Sequence, residues 1–515
     1  MLQRVHFDHD HPLYNTAATR TLEAVGIAAT GPHVLMQRAG AAIARLAVAI
    51  APHARQIWVA CGAGNNGGDG LEAAALLKNQ GLNVCVSWLG SPQTAPQDTQ
   101  RSWQKAIDGG VRFVDQVPDD LNEQDLCIDA LLGIGLTAGD DARQPSQALL
   151  ALLSVIRTTR ATVLCVDLPS GLIADSGQLA PGFEHANASA ATPGKRHTLS
   201  LLSLKPGLFT GAGRDEAGTV WLDDLDLSQG DLPPSSLLAG APASQHRPHA
   251  SHKGTWGDVA IVGGEGLRER GMGMTGAALL AATAALHAGA GRVMLAPLDA
   301  DLLQLPGEQP EIMLRRFDML ELEKITVVCG CGGGNAVRNV LPDVLQRSQR
   351  LVLDADALNA IAAEAPLQAL LKARSSHPLH ITAMTPHPLE AAQLLDTNTA
   401  TVQADRIAAA QKLAERFGCI VILKGSGSII AAPHQTPCIN PTGNARLATG
   451  GTGDVLAGLL GARIASMVTT HDHTELHANA FAETRKACWQ HGLIADKWPE
   501  FSQLTASRLA QALTS

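Results

Sequence analysis

The chain has 515 residues, 45% of them hydrophobic and 17% charged, with a formal net charge of -9. That length predicts two or more domains with ample buried cores, and the composition excludes a disordered chain. A net negative balance without a long basic run excludes nucleic acid as the main partner.

The amino terminus, "MLQRVHFDHDHPLYN", carries acids and histidines around no apolar stretch, so no signal peptide is expected. Further along, short apolar runs "QIWVAC", "NVCVSWL", "DLCIDALL" and "TVLCVDLP" alternate with helix-like stretches such as "GLEAAALLKNQ" and "PSQALLALLSVIR". The segment "SQGDLPPSSLLAGAPASQHRPHA" has no sustained period and reads as a linker. It divides the chain into a domain over 1–230, a linker over 231–248 and a domain over 249–515. The second half alternates in the same way through "DVAIVGG", "RVMLAP", "ITVVCG", "RLVLDAD", "HITAMTP" and "IVILKGS". Its longest small-apolar stretch, "MTGAALLAATAALHAGAGRV", is broken by His287, Gly289, Gly291 and Arg292, which predicts a buried helix and turn rather than a membrane span. The pattern calls for an α/β protein with parallel sheets, whose ligands bind outside the carboxyl ends of the strands. The nine cysteines show neither a disulfide framework nor a paired zinc spacing, and a bacterial-type cytoplasm is the expected compartment.

The loop "CGAGNNGGDG", Cys61 to Gly70, joins a strand to a helix. A dinucleotide fingerprint would need an acid at the end of the next strand, which here ends in Trp88, Leu89 and Gly90. A lysine-bearing phosphate loop fails as well, because no Gly-Lys-Ser/Thr follows. Other strand ends supply what the loop lacks: Asp129 closes "LCIDA", and Asp167 closes "LCVD" ahead of Ser170. Oxygen ligands of this kind suit a hard cation. If Asn66, Asp129 and Ser170 hold it, the single charge favours a monovalent ion over magnesium. Asp167 is then free to act on substrate as base or orienting acceptor. Any one of these residues alone is an ordinary turn or cap, and only their joint occurrence at strand ends marks a site.

The stretches "CGAGNNGGDG", "DALLGIG", "VDLPSG" and "LKPGLFTGAG" resemble the amino-terminal domain of the NAD(P)H-hydrate epimerases. The resemblance implies a Rossmann-like three-layer sandwich and a catalytic Asp167. Asn65, Asn66, Gly67, Gly68 and Asp69 would contact the hydrated nicotinamide nucleotide. So would Gly133, Ile134, Gly135, Leu136, Thr137, Ala138 and Gly139. Asn66, Asp129 and Ser170 would ligate potassium. Ala63 stands where most relatives are expected to have proline.

In the second half, "GGTGD", Gly450 to Asp454, opens an Ala/Leu-rich helix. The backbone N–H groups of Gly451, Thr452 and Gly453 at its start make an anion cradle, and Asp454 is placed to take a proton from an attacking hydroxyl. Upstream, "ILKGSGSII" offers a lysine and two serines among glycines for nucleotide phosphates. These motifs, with "HKGTWGDVAIVGG", "LDADALN" and "TPHPLEAAQLL", resemble the ADP-dependent NAD(P)H-hydrate dehydratases, which have a ribokinase-like α/β fold. The resemblance implies that Lys424, Gly425, Ser426, Gly427, Ser428 and Gly453 bind the adenine nucleotide, with Mg2+. Ala277, Gly332, His387 and Asp454 would contact the hydrated dinucleotide, Asp454 as catalytic base. In "CGCGGG", Cys331 and Gly333 replace the proline and leucine usual in relatives, which predicts a looser loop around Gly332.

Together the two resemblances imply a bifunctional repair enzyme. It would epimerise the R and S forms of hydrated NADH or NADPH and dehydrate the S form at the expense of ADP, giving AMP and phosphate. Its partners would be these small molecules, with no nucleic acid and no membrane, and a homo-oligomeric state is expected. The alternative is a ribokinase-like small-molecule kinase fused to a non-catalytic nucleotide-binding module.

Overall fold

The computed structural model describes residues 1–136, 144–184, 194–228, 230–243, 248–267, 271–298, 309–468, 470 and 472–513. The chain forms two compact units, one of Met1–Phe7 and His11–Ser236, the other of Asp8–Asp10 and Leu237–Ser515. Within the segment expected as a linker, Ser236–Leu238 forms a strand, and Leu237 and Leu238 run parallel to Cys438 and Ile439. Ser236 and Leu238 are buried, so this part of the Pro/Ser-rich stretch is a strand built into a sheet.

The first unit is built on a sheet whose parallel strands run, side by side, Arg112–Phe113, Val84–Trp88, Ile57–Cys61, Leu126–Ala130, Thr162–Val166, Arg196–Leu201 and Thr219–Asp223. Gln3–Arg4 adds an antiparallel edge. Helices cover both faces. On one, Leu46, Leu71 and Leu77 pack on Ile57, Val59 and Ile128; on the other, Leu152, Leu153 and Ile156 pack with Trp58, Cys127 and Val163. Strands covered on both faces carry near-continuous apolar runs, which is why "IWVAC" is buried at all five positions.

The second unit repeats that order. Its parallel strands run Ile312–Leu314, Arg292–Pro297, Asp258–Gly263, Thr326–Cys329, Arg350–Leu353, Ile381–Met384 and Ile420–Leu423, before antiparallel Ile429–Ala431 and Cys438–Ile439. In each sheet the order reverses between the first strand and the fourth, at Ile57–Cys61 beside Leu126–Ala130 and at Asp258–Gly263 beside Thr326–Cys329. A reversal of this kind splays the flanking connections to opposite faces and opens a crevice beyond the strand ends. All nine cysteines are buried and free. Among the described residues no single helix is long and apolar enough to cross a membrane, although the bent pair Thr16–Thr30 and Val34–Ile50 passes that test together.

Candidate active sites

In the first unit the crevice is a cavity of about 490 Å³. Asn65, Asn66, Asp69, Gly133, Ile134, Gly135 and Asp167 line it, as the motifs predict, together with Glu23 and Lys205. Gly67, Gly68 and Leu136 are not on its wall, while Thr137, Ala138 and Gly139 fall outside the described residues. The two glycines have a packing task instead. A Cβ on Gly67 would overlap the Gly62 carbonyl, and one on Gly68 would lie 2.6 Å from Met36 Cε and 2.7 Å from Thr99 Oγ1. Their bareness lets the helix Asn65–Asn79 start hard against the strand end. Where a ribose-binding acid would stand, Trp88 donates its indole N–H to the Gly62 carbonyl at 3.0 Å.

Behind the loop, Asp129 is buried and serves as an acceptor hub. Its Oδ1 accepts from the Ser170 hydroxyl at 2.5 Å and from the Leu131 amide at 3.3 Å, and its Oδ2 accepts from the Ser170 amide at 3.0 Å. Burial nevertheless lifts its pKa above the usual carboxylate range, against the lowering effect of those hydrogen bonds. The Asn66 Nδ2 is buried without a hydrogen-bond partner, and Gly133 comes so close that a Cβ there would lie 3.3 Å from Asn66 Oδ1. A buried carboxylate without a full counter-charge is what a small cation would complete, and the Asn66 amide would face such an ion with its oxygen rather than with Nδ2.

Asp167 follows the strand with a left-handed backbone, φ 66°. Its Oδ1 accepts from the Leu201 amide at 3.1 Å and from the ammonium of Lys205, which also donates to the Leu201 carbonyl at 2.6 Å. Lys205 is fully buried, and the sequence reading passed over it as part of the "LKPG" motif. Its one legible signal is a lysine at the end of the apolar run "TLSLLSLK", four residues past the strand Arg196–Leu201. Glu23, on the helix Thr16–Thr30, was missed too; burial and then Asp167 raise its pKa. Asp69 lies well above the usual carboxylate range, first through loss of solvent and then through Asp167 and Glu23. The cavity therefore holds a carboxyl whose environment disfavours its charge, Asp69, together with a carboxylate paired to an ammonium, Asp167.

In the second unit, neighbouring strand ends are hydrogen-bonded in step. The Asp354 amide donates to Cys329 O (3.1 Å), the Thr385 amide to Leu353 O (3.1 Å) and the Lys424 amide to Pro386 O (2.9 Å). This lines up Asp354, Thr385, His387 and Lys424 along one edge. Lys424 Nζ donates to Asp354 Oδ1 at 2.9 Å, and Thr385 donates to the same oxygen at 2.6 Å. The helix Thr452–Ala465 points its amino terminus at this cluster: Gly451 caps it at φ 92°, and a Cβ on Gly453 would lie 3.3 Å from Lys424 Nζ. An ammonium and a helix start thus converge on one spot, a strong place for a phosphate.

Asp454 sits within the same group. Burial, then the charge of Asp354, push its pKa up to about 6. Burial works against the charge on Lys424, but Asp354, Glu390 and Asp454 more than offset it and its pKa is raised. Glu390 is pushed up to about 7 by burial. His387 caps the helix Pro388–Leu395, its Nδ1 accepting from the Leu389 and Glu390 amides at 3.1 and 3.2 Å, which fixes the neutral Nε2–H tautomer. Ala277 and Gly332 are neighbours: a Cβ on Gly332, at φ 57°, would lie 2.9 Å from the Ala277 methyl. The turn around Gly332 is braced rather than loose. The Gly332 carbonyl accepts from the Glu265 amide at 2.6 Å, and Glu265 Oε1 accepts from Asn335 and Ala336 at 2.7 and 3.1 Å. Cys331 is buried beside both acids, and ligand atoms of Cys331, Asp354 and Asp454 lie within 4.8 Å of one another.

Comparison with known proteins agrees with this division. A family model described as NAD(P)H-hydrate dehydratase matches residues 261–515, and one described as YjeF-related protein N-terminus matches residues 32–207. The bifunctional NAD(P)H-hydrate repair enzyme Nnr of Escherichia coli (strain K12) is 32% identical over 497 residues, covering 92% of this chain and 87% of that protein. An ADP-dependent (S)-NAD(P)H-hydrate dehydratase of Neisseria meningitidis is 39% identical over 272 residues, 51% of this chain and 84% of its own length. The crystal structure of an ADP/ATP-dependent NAD(P)H-hydrate dehydratase from Bacillus subtilis, co-crystallised with ATP/Mg2+, is 26% identical with a TM-score of 0.42, covering 52% of this chain and 92% of that one. With one relative matched almost end to end and a family model on each unit, this chain belongs to the bifunctional NAD(P)H-hydrate repair enzymes.

Proposed function

We propose that the first unit interconverts the R and S forms of hydrated NADH or NADPH through Asp167, and that the second returns the S form to coenzyme. ADP is consumed in the second reaction and AMP and phosphate are released. The observation that carries this reading is the convergence of Lys424, the amino terminus of Thr452–Ala465 and a half-buried acid, Asp454, on one point. Asp454 takes the proton of the C6 hydroxyl while that oxygen attacks the β-phosphorus of ADP, and AMP leaves. Phosphate then departs from C6 as a proton leaves C5, restoring the ring double bond. Lys424 and the amides of Gly451, Thr452 and Gly453 favour the charge that builds on the transferring group. The loop Lys424–Ser428 takes the nucleotide, and Ala277, Gly332 and His387 take the hydrated ring. A small-molecule kinase would release its phosphorylated product intact, whereas this reaction ends in free phosphate and restored dihydronicotinamide absorbance. Incubation of both hydrate epimers with ADP separates the two.

A base ionises only above its pKa, so dehydration should fall as pH drops through about 6, where Asp454 becomes protonated. A pH–rate profile of the ADP-dependent step checks this, and an unchanged rate down to pH 4 would exclude Asp454 as the base.

Asn66, Asp129 and Ser170 fit potassium, which would neutralise Asp129 and tie the loop to two strand ends. We expect potassium to raise both the epimerisation rate and the melting temperature of the first unit, and Asn66→Ala to weaken the apparent potassium affinity about tenfold, as loss of one ligand of ~1.4 kcal/mol would. Titration by thermal shift and by epimer equilibration measures it. Magnesium is usually held by one or two carboxylates and substrate phosphates, which Asp354 and Asp454 fit and the Cys331 thiol does not. It would offset phosphate charge. Nine unpaired cysteines support the cytoplasmic location we propose. A homo-oligomer is the proposed state in solution, to be read by sedimentation.

A further inference from the structure

Beneath the loop Lys424–Ser428 lies a charge that the reaction does not explain. Arg406, the first residue of the helix Arg406–Phe417, is only 2% exposed. Burial lowers its pKa to about 10, so the guanidinium remains charged at neutral pH. It donates from Nη2 to the Leu423 carbonyl at 3.2 Å and to the Gly427 carbonyl at 3.4 Å, and from Nη1 to Gln403 Oε1 at 2.9 Å. Leu423 directly precedes the loop and Gly427 is its next-to-last residue, so one planar group holds it near both ends. Gly425 lies directly above, at φ 149°, and a Cβ there would sit 2.5 Å from Nη1 and 2.7 Å from Nη2. The loop is thus draped on the guanidinium, and glycine is required where the two touch.

We propose that Arg406 is a positioning residue for nucleotide binding: it fixes the Lys424–Ser428 backbone in the shape that receives the phosphates of a nucleoside diphosphate. This rests on the reading of that loop as the nucleotide site. Arginine suits the task because its rigid fork reaches two carbonyls at once, whereas lysine presents a single point of charge. The role is felt in binding rather than in chemistry, since Arg406 acts on the loop backbone through the Leu423 and Gly427 carbonyls.

The test uses the full chain with Arg406→Met, Arg406→Lys, Gly425→Ala and the double variant Arg406→Met/Gly425→Ala. Arg406→Met should raise KM for ADP about tenfold or more with kcat within about twofold and KM for the hydrate unchanged. Arg406→Lys should recover less than half of that loss. Gly425→Ala should also raise KM for ADP, and the double variant should be less impaired than the product of the two single effects, because removing the guanidinium removes the clash. Wild-type KM in Arg406→Met, or strictly multiplicative effects in the double variant, would overturn the proposal. If instead Arg406→Met loses folded protein, the proposal is judged on Gly425→Ala and Arg406→Lys, and a wild-type KM in both overturns it. Wild-type protein that binds ADP by calorimetry but dehydrates nothing would sink the functional reading alone.

Discussion

Asp454→Asn is expected to lower ADP-dependent dehydration by about 10²–10⁴-fold, the range that a positioned general base contributes, and to leave epimerisation intact. The amide keeps the shape and can still accept a hydrogen bond from the substrate hydroxyl, but it cannot take the proton. The same change should make the second unit more stable at alkaline pH. A carboxyl whose folded pKa of about 6 exceeds its ordinary value of 3.8 prefers the folded state when protonated. Its contribution is complete below about pH 4 and is lost as pH rises through 6, a loss on the order of 3 kcal/mol. At pH 8 Asp454→Asn should therefore unfold at a higher temperature than wild type, and at pH 4 the difference should vanish. Higher activity or lower stability at pH 8 would contradict the assignment.

Lys205→Met should cost the first unit about 3–5 kcal/mol, the penalty for leaving one member of a buried ion pair alone, and should suppress epimerisation about 10²-fold or more. Without the ammonium, the Asp167 carboxylate loses the donor that holds its Oδ1 in place and is left as an unpaired charge in a buried site. Asp167→Asn should lose activity to a similar degree and should also destabilise the unit, since it leaves the buried Lys205 ammonium without its counter-charge. The double variant Asp167→Asn/Lys205→Met should regain most of the stability and none of the activity. Denaturant unfolding and epimer equilibration read the two quantities separately, with the dehydration rate as the internal control. An active, stable Lys205→Met protein would remove Asp167 from its role.

What could be read in the chain of letters was whatever is local. Glycine-rich turns, strand-end acids and the Gly451–Asp454 helix start are contiguous, and a parallel sheet brings its carboxyl edges together by rule, so Asn66 and Asp167 meet as expected. The partners of those residues were hidden because pairing is decided across the sheet. Lys205 finds Asp167 from beyond a different strand, Arg406 finds the Lys424–Ser428 loop from a neighbouring helix, and Glu265 braces a turn about 70 residues away. Gly67 and Gly68 carry a second task that the resemblance did not point to: the backbone needs bare atoms there against Gly62 and Met36. The strand Ser236–Leu238 was masked by its Pro/Ser-rich surroundings, since three residues set no period.

The backbone at Asp167 restricts which amino acids can ever stand there. At φ 66°, aspartate, asparagine and glycine are comfortable, while alanine or a branched residue costs ~1 kcal/mol or more before any chemistry is lost. A copy of this domain drifting out of use would thus slide to asparagine or glycine long before alanine. Under the role proposed for Asp167, an asparagine found there in some future sequence would mark a domain that keeps its shape and has given up its reaction.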